Sequence, residues 1–173
     1  MTKTTDIAYT VAVLGLLIAM QILLGSFFTI QFLMTKITFS FLITAVMAQL
    51  FSARITISAS ALASIIGMLL FPKFSFFLGF ALTAGLTGFI FHYFFYHHAV
   101  NFWRIFVSSL LITFGCNLIL NSIWLHIMYQ LSWKVLLLTR IPQELISLVV
   151  YTILLTIFLN LKPIKKIVAR FSE

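Results

Sequence analysis

The chain has 173 residues, 62% apolar and 8% charged, with 20 Phe and with eleven Lys and Arg against three Asp and Glu, a formal charge of +8. So apolar a composition leaves too few polar groups to face water, which excludes a soluble globular domain and makes lipid the solvent. The basic excess sits in short gaps between apolar runs, where it reports topology rather than nucleic-acid binding.

Six apolar stretches cover residues 7–30, 37–52, 55–70, 74–96, 105–128 and 141–161, which predicts an all-α membrane protein of six transmembrane helices forming one domain over 1–173. Four stretches reach the ~20 residues that a helix needs to cross a ~30 Å hydrocarbon core. The second and third are shorter and are expected to be short spans or to extend past Arg54. A cleavable signal peptide is the rival reading of the first stretch, but the run exceeds the ~7–15 residues of a signal core and no clean A-x-A site follows. Placing both termini in the cytoplasm puts Lys3, Arg54, Arg104, Lys162, Lys165, Lys166 and Arg170 inside and leaves Lys36, Lys73, Lys134 and Arg140 outside, as the positive-inside rule requires. Lys162-Pro163-Ile164-Lys165-Lys166 is read as a topology anchor that ends the last helix at the headgroups.

In the first stretch Ala8, Ala12, Gly15 and Ala19 fall on one helix face, a small-residue stripe that lets a second backbone approach closely. Packing inside the bundle and docking of a partner protein both account for it. Similar patches, Ser60/Ala63/Ser64/Gly67 and Ala81/Ala84/Gly85/Gly88, are expected to pack internally. Between the third and fourth stretches, the Phe-rich connection 71–80, with Phe74, Phe76 and Phe77, reads as an interfacial anchor or as a lid over a planar ligand. His92, His97 and His98 have no acidic companion and are read as interfacial rather than metal-binding or catalytic. Cys116 is a lone packing residue.

In the fifth stretch Thr113, Asn117, Asn121 and Trp124 share an α-helical face, and carboxamides at membrane depth need hydrogen-bond partners. They are expected to form either a ligand wall or an interhelical bond. The sixth opens at Arg140-Ile141-Pro142-Gln143-Glu144, with Pro142 in the first turn, where its missing N–H costs nothing. Arg140 and Glu144 then form a structural pair or the mouth of a pocket. No G-x-x-x-x-G-K-[ST] sequence and no carboxylate pair is present, so ATP hydrolysis and acid–base catalysis have no residues to carry them.

The order of these motifs resembles the substrate-binding S components of energy-coupling factor (ECF) vitamin transporters, and most closely their folate-specific members. The resemblance rests on Phe27-Phe28-Thr29-Ile30-Gln31, Lys36-Ile37-Thr38-Phe39-Ser40-Phe41, Leu70-Phe71-Pro72 and Gly79-Phe80-Ala81-Leu82-Thr83-Ala84-Gly85-Leu86-Thr87-Gly88. It continues in Arg104-Ile105, Asn117-x-x-x-Asn121-x-x-Trp124-Leu125 and Arg140-Ile141-x-x-Glu144-Leu145. The chain departs from the family pattern at Gly25-Ser26, at Leu78, and in the absence of an acidic residue from Ser60–Ser64.

This resemblance implies a six-helix bundle in the plasma membrane of a bacterium that captures folate outside. It would dock on a transmembrane T component driven by two cytoplasmic ATPases using Mg-ATP, with no cofactor or metal of its own. The stripe Ala8, Ala12, Gly15 and Ala19 would meet the T component. Asn117 and Asn121 would read the pterin edge, while Trp124, Phe76 and Phe77 would cover rings. Lys36, Lys73 or Arg140 would pair with carboxylates, with Gln31, Gln143 and Glu144 completing the site. An S component for another vitamin or a pteridine-like solute is the alternative, and a small membrane enzyme or channel the remote one.

Overall fold

The computed structural model describes residues 3–27, 29–32, 35–71 and 76–172, and the backbone alone for 3–6, 29–32, 35–37 and 170–172. Helix α1 (Lys3–Ser26) is followed by strands β1 (Thr29–Phe32) and β2 (Thr35–Thr38), then α2 (Ser40–Leu50), α3 (Ala53–Leu70) and α4 (Leu78–Phe95). A continuous helix over Phe102–Tyr129 follows, made of α5 (Phe102–Leu110), a π-helical stretch (Leu111–Leu120) and α6 (Asn121–Tyr129). The chain closes with α7 (Trp133–Leu159) and α8 (Lys162–Ser172).

Among the described residues, five helices are long and apolar enough to cross a membrane: α1, α3, α4, the Phe102–Tyr129 helix and α7. The sixth apolar helix, α2, has 11 residues and so rises only about 16 Å. Nine of its residues are buried, and it packs against α1, α4 and α7. A helix apolar on every side belongs in an interior, and α2 forms the axis of the bundle. Its C-terminal end is tied to α3 by Thr56, fully buried, whose hydroxyl lies 3.4 Å from the carbonyls of Met47 and Phe51.

The first helix stops earlier than hydropathy suggests. Expected through residue 30, it ends at Ser26, and Thr29–Phe32 pairs antiparallel with Thr35–Thr38, Gln31 facing Lys36 across the ladder. Thr29, Ile30, Thr35, Ile37 and Thr38 are β-branched, and such residues favour the extended backbone over a helix that would restrict their χ1. For the same reason α2 begins at Ser40 rather than 37. Helix α3 begins at Ala53 and takes Arg54 into its first turn.

Helices α3 and α4 make the most intimate contact in the molecule. A Cβ added to Gly88 would stand 3.1 Å from the Ser60 hydroxyl and 3.2 Å from the Thr56 carbonyl, and one on Gly85 would stand 3.3 Å from Ile57. The small residues of both helices therefore face each other, and van der Waals contact replaces the hydrophobic drive that lipid removes. The stripe on α1 is different: Ala8, Ala12, Gly15 and Ala19 are all exposed, and a Cβ on Gly15 would meet nothing within 4 Å. Packing within the bundle does not account for that stripe.

The last span corrects the sequence reading most. Helix α7 begins at Trp133, not 141, so Pro142 lies in its interior at the tenth position and deprives the Leu138 carbonyl of its helical donor. The segment 133–138 is apolar apart from Lys134 and long enough to add nearly two turns before the proline. Arg140 and Glu144 consequently sit well inside the helix rather than at an external mouth.

Candidate functional site

The bundle encloses a cavity of about 270 Å³. Its walls come from five sides: Gln21 and Ser26 of α1, Ser40 and Thr44 of α2, Ser64 and Gly67 of α3, Phe80 and Thr83 of α4, and a polar wall from the long fifth helix and α7. That last wall carries Asn117, Asn121, Arg140, Glu144 and Tyr151. Gly67 lines this space, and a longer residue there would narrow it.

The π-helical stretch sets the phase of the Asn wall. Its N–H groups reach back five residues, and the Asn121 N–H bonds the Cys116 carbonyl. The residues turned to the cavity are thus Ile112, Asn117, Asn121 and Leu125, separated by five, four and four positions. Thr113, expected on the same face from α-helical spacing, is instead fully buried away from the cavity. Trp124 also stands behind the wall: its indole N–H donates to the Thr83 hydroxyl at 3.0 Å, and its ring lies 5.5 Å from that of Phe77.

Arg140 and Glu144 are 3% and 1% exposed, which puts a pair of opposite charges out of reach of bulk water. Their closest approach is 3.8 Å, from Nη2 to Oε1, and Arg140 also donates through Nη1 to the Ser122 hydroxyl at 3.3 Å. Among the described residues, neither carboxylate oxygen of Glu144 has a donor at hydrogen-bond distance, and the same holds for Oδ1 of Asn121. Asn117 stands beside Glu144 and Tyr151 on this wall. Buried acceptors without donors are costly, so a wall carrying three of them is suited to a ligand that brings N–H groups.

Other expected site residues lie elsewhere. Phe76 is half exposed, and Phe77 is wedged between Phe80 and Trp124 rather than laid over the cavity. Gln143 is partly buried, with Oε1 unpartnered, but it is not on the cavity wall. Lys73 and Phe74, and the side chains of Gln31 and Lys36, lie outside the described residues. Sequence reasoning passed over Gln21, which is 7% exposed with an unpartnered Oε1 on the opposite wall. The argument applied to Asn117 and Asn121, a carboxamide at membrane depth, would have found it.

Gly79 is where the aromatic wedge meets α4. A Cβ there would fall within 2.7 Å of the Trp124 ring and collide with Phe77. Gly79→Ala is therefore expected to displace both rings, disturb the Trp124–Thr83 bond and cost about 1–3 kcal/mol. Near-ultraviolet circular dichroism and thermal unfolding in detergent would register it; an unchanged aromatic spectrum would refute the wedge.

Five long apolar helices around a short buried one, lining a cavity with one polar wall, define a multi-pass membrane protein built to hold a small solute. The chain belongs to the ECF transporter, substrate-specific component family, whose model matches residues 9–159. It is thus a multi-pass protein of the cell membrane. It is 31% identical over 142 residues, 82% of this chain and 83% of the relative, to the folate transporter FolT of Clostridium novyi (strain NT). It is also 27% identical over 143 residues to the folate transporter FolT of Leuconostoc mesenteroides subsp. mesenteroides, covering 81% of this chain and 77% of that one. The fold superposes on a crystal structure of FolT bound with folic acid with a TM-score of 0.80 and 31% identity, over 85% of this chain and 90% of the other.

Proposed function

We propose that this chain is the folate-binding, substrate-specific subunit of an ECF-type transporter. The observation that carries this reading is the cavity wall of Asn117, Asn121 and Glu144, with unused acceptors on Asn121 and Glu144, in a chain related to FolT proteins. A pterin presents a flat edge of alternating donors and acceptors. Carboxamides complement both, and a carboxylate accepts two parallel N–H groups. Phe80 offers a ring at the cavity wall, with Phe77 and Trp124 supporting it from behind. Lys36 and Lys73 are our candidates for the glutamate tail, with Gln31 as a further candidate and Gln143 as a support of the Arg140–Glu144 wall.

The chain captures solute and catalyses no covalent step; energy comes from partner subunits. The exposed stripe Ala8, Ala12, Gly15 and Ala19 supports docking of a T component, itself coupled to two ATPases that use Mg-ATP. The chain needs no metal or cofactor for this role.

The test is a folate titration of the purified chain in detergent, read by tryptophan fluorescence. Asn121→Ala is expected to weaken binding by about ten- to a hundredfold, the worth of a buried hydrogen bond. Trp124→Phe should remove most of the quenching while Trp103 and Trp133 remain as references. Unchanged affinity in Asn121→Ala would remove the Asn wall from the site, and no binding to folate or its reduced forms would overturn the ligand.

A further inference from the structure

The last helix, α8, does not extend the final span. Helix α7 ends at Leu159, and after Asn160 and Leu161 the chain starts a new helix at Lys162, so α8 is a separate helix. Viewed down its axis at 100° per residue, Ile164, Ile167 and Val168 fall within an arc of about 100°. Lys162, Lys165 and Lys166 occupy the opposite arc, and all three are exposed. Ile164 and Val168 pack on the core cluster at the end of α2, whereas Ile167 is 45% exposed beside them. The apolar face is thus divided: one edge is held by the bundle and the other is uncovered.

A peripheral helix held by its own bundle has a fixed depth and a fixed rotation. Its lysines then share one side, and no Asp or Glu among the described residues forms an ion pair with them. With the termini on the cytoplasmic side, that row lies in the headgroup layer of the inner leaflet, and Ile167 reaches the acyl boundary next to the protein.

We propose that α8 is an electrostatic clamp for anionic phospholipid headgroups, in which Lys162, Lys165 and Lys166 gather anionic lipid around the cytoplasmic end of the bundle. Charge complementarity selects the occupant. A row of unpaired lysines on an interfacial helix draws anionic lipid from the surrounding leaflet, and the attraction decays within a Debye length. An acidic protein partner would satisfy the same charges but would leave Ile167 facing solvent or protein, and the experiment separates the two.

The full chain is reconstituted into vesicles of phosphatidylcholine with 20 mol% (about one lipid in five, enough for a strong surface potential) phosphatidylglycerol. It carries Cys116→Ala and Ile167→Cys, labelled at the new thiol with an environment-sensitive fluorophore. Quenching by nitroxide-labelled phosphatidylglycerol is compared with quenching by the same nitroxide on phosphatidylcholine at equal mole fraction. The anionic quencher is expected to be at least about twofold more effective, and this preference is expected to vanish in high salt. Lys162→Gln, Lys165→Gln and Lys166→Gln together should bring the ratio to about one, while the three Lys→Arg changes should keep it, since charge rather than side-chain shape is at work. A ratio near one in the unsubstituted helix, a ratio that survives the three Gln changes, or a fluorophore unquenched by either lipid until partner subunits are added would each overturn the proposal. Folate affinity, measured in the same vesicles, is expected to be unaffected by the Gln changes, so the outcome stands apart from the proposed ligand.

Discussion

Arg140→Met is expected to destabilise the protein by about 3–5 kcal/mol, because it strands Glu144, 1% exposed, without its cation in a low-dielectric wall. The double change Arg140→Met with Glu144→Leu should recover most of that loss. Two apolar groups of similar volume no longer have to be stripped of water, and exchanging a buried ion pair for them is often neutral or better. The ligand responds in the opposite way. The double variant, although stable, should lose the proposed folate binding, because the only charged acceptor on the described cavity wall is gone. Thermal unfolding in detergent and a folate titration, run on the same three proteins, give two independent readouts. Equal stability of the single and double variants would show that the pair is not coupled. Full folate affinity in the double variant would show that the pair serves structure alone.

The long 3.8 Å separation of the pair favours this split between stability and binding. A pair optimised for structure would be bidentate and would use the remaining lone pairs. Here Arg140 spends Nη1 on Ser122, and both Glu144 oxygens remain without a hydrogen bond among the described residues. Such unspent capacity in a buried wall is costly to the empty bundle and useful to it when a donor-bearing solute arrives.

Two glycines carry the second large expectation. Gly88→Leu should cost at least about 1–3 kcal/mol and push α3 and α4 apart, since even a Cβ meets the Thr56 carbonyl at 3.2 Å, and a backbone carbonyl in a helix cannot swing aside. Gly15→Leu should leave the isolated chain as stable as before, or slightly more so through better helix propensity, because nothing lies within 4 Å of its Cβ. Its effect should appear only in assembly: co-purification with the proposed T component should fall sharply while the proposed folate binding by the isolated chain persists. Unfolding curves for the two variants, with a pull-down of the T component, decide the matter. If Gly15→Leu assembled normally, the exposed stripe would lose its role. If Gly88→Leu unfolded like the parent, the α3–α4 contact would be looser than its geometry states.

Much of the membrane architecture was legible along the chain, and the failures have local causes. Hydropathy located every apolar helix, but it overran the first by four residues because the β-branched run at Thr29 and Ile30 is as apolar as a helix end while preferring a strand. It cuts the last span short because Pro142 reads as a helix start, whereas seven helical residues from Trp133 precede Arg140. The Asn117 and Asn121 pair was found from the cost of a buried amide, and Gln21 was open to the same argument. Thr113 was misplaced because nothing in the residue types of Leu111–Leu120 signals a helix with five-residue spacing. Phe76 and Phe77 were assigned to a lid from aromatic density, which does not say which way a ring turns.

The sequence by itself determined the solvent and the number of apolar helices, and it sets the expectation for the side on which the termini lie. These follow from properties summed residue by residue: a span must be long enough to cross hydrocarbon, and lysine and arginine stay on one side of it. The tertiary structure decided which residues share a cavity. That depends on the phase of a π-helical stretch, on how closely two glycine-bearing helices approach, and on a short helix buried between its neighbours. Each of these relates positions distant in sequence, so no local pattern carries it. Only the assembled bundle brings Gln21, Asn117, Asn121, Arg140 and Glu144 around one enclosed space.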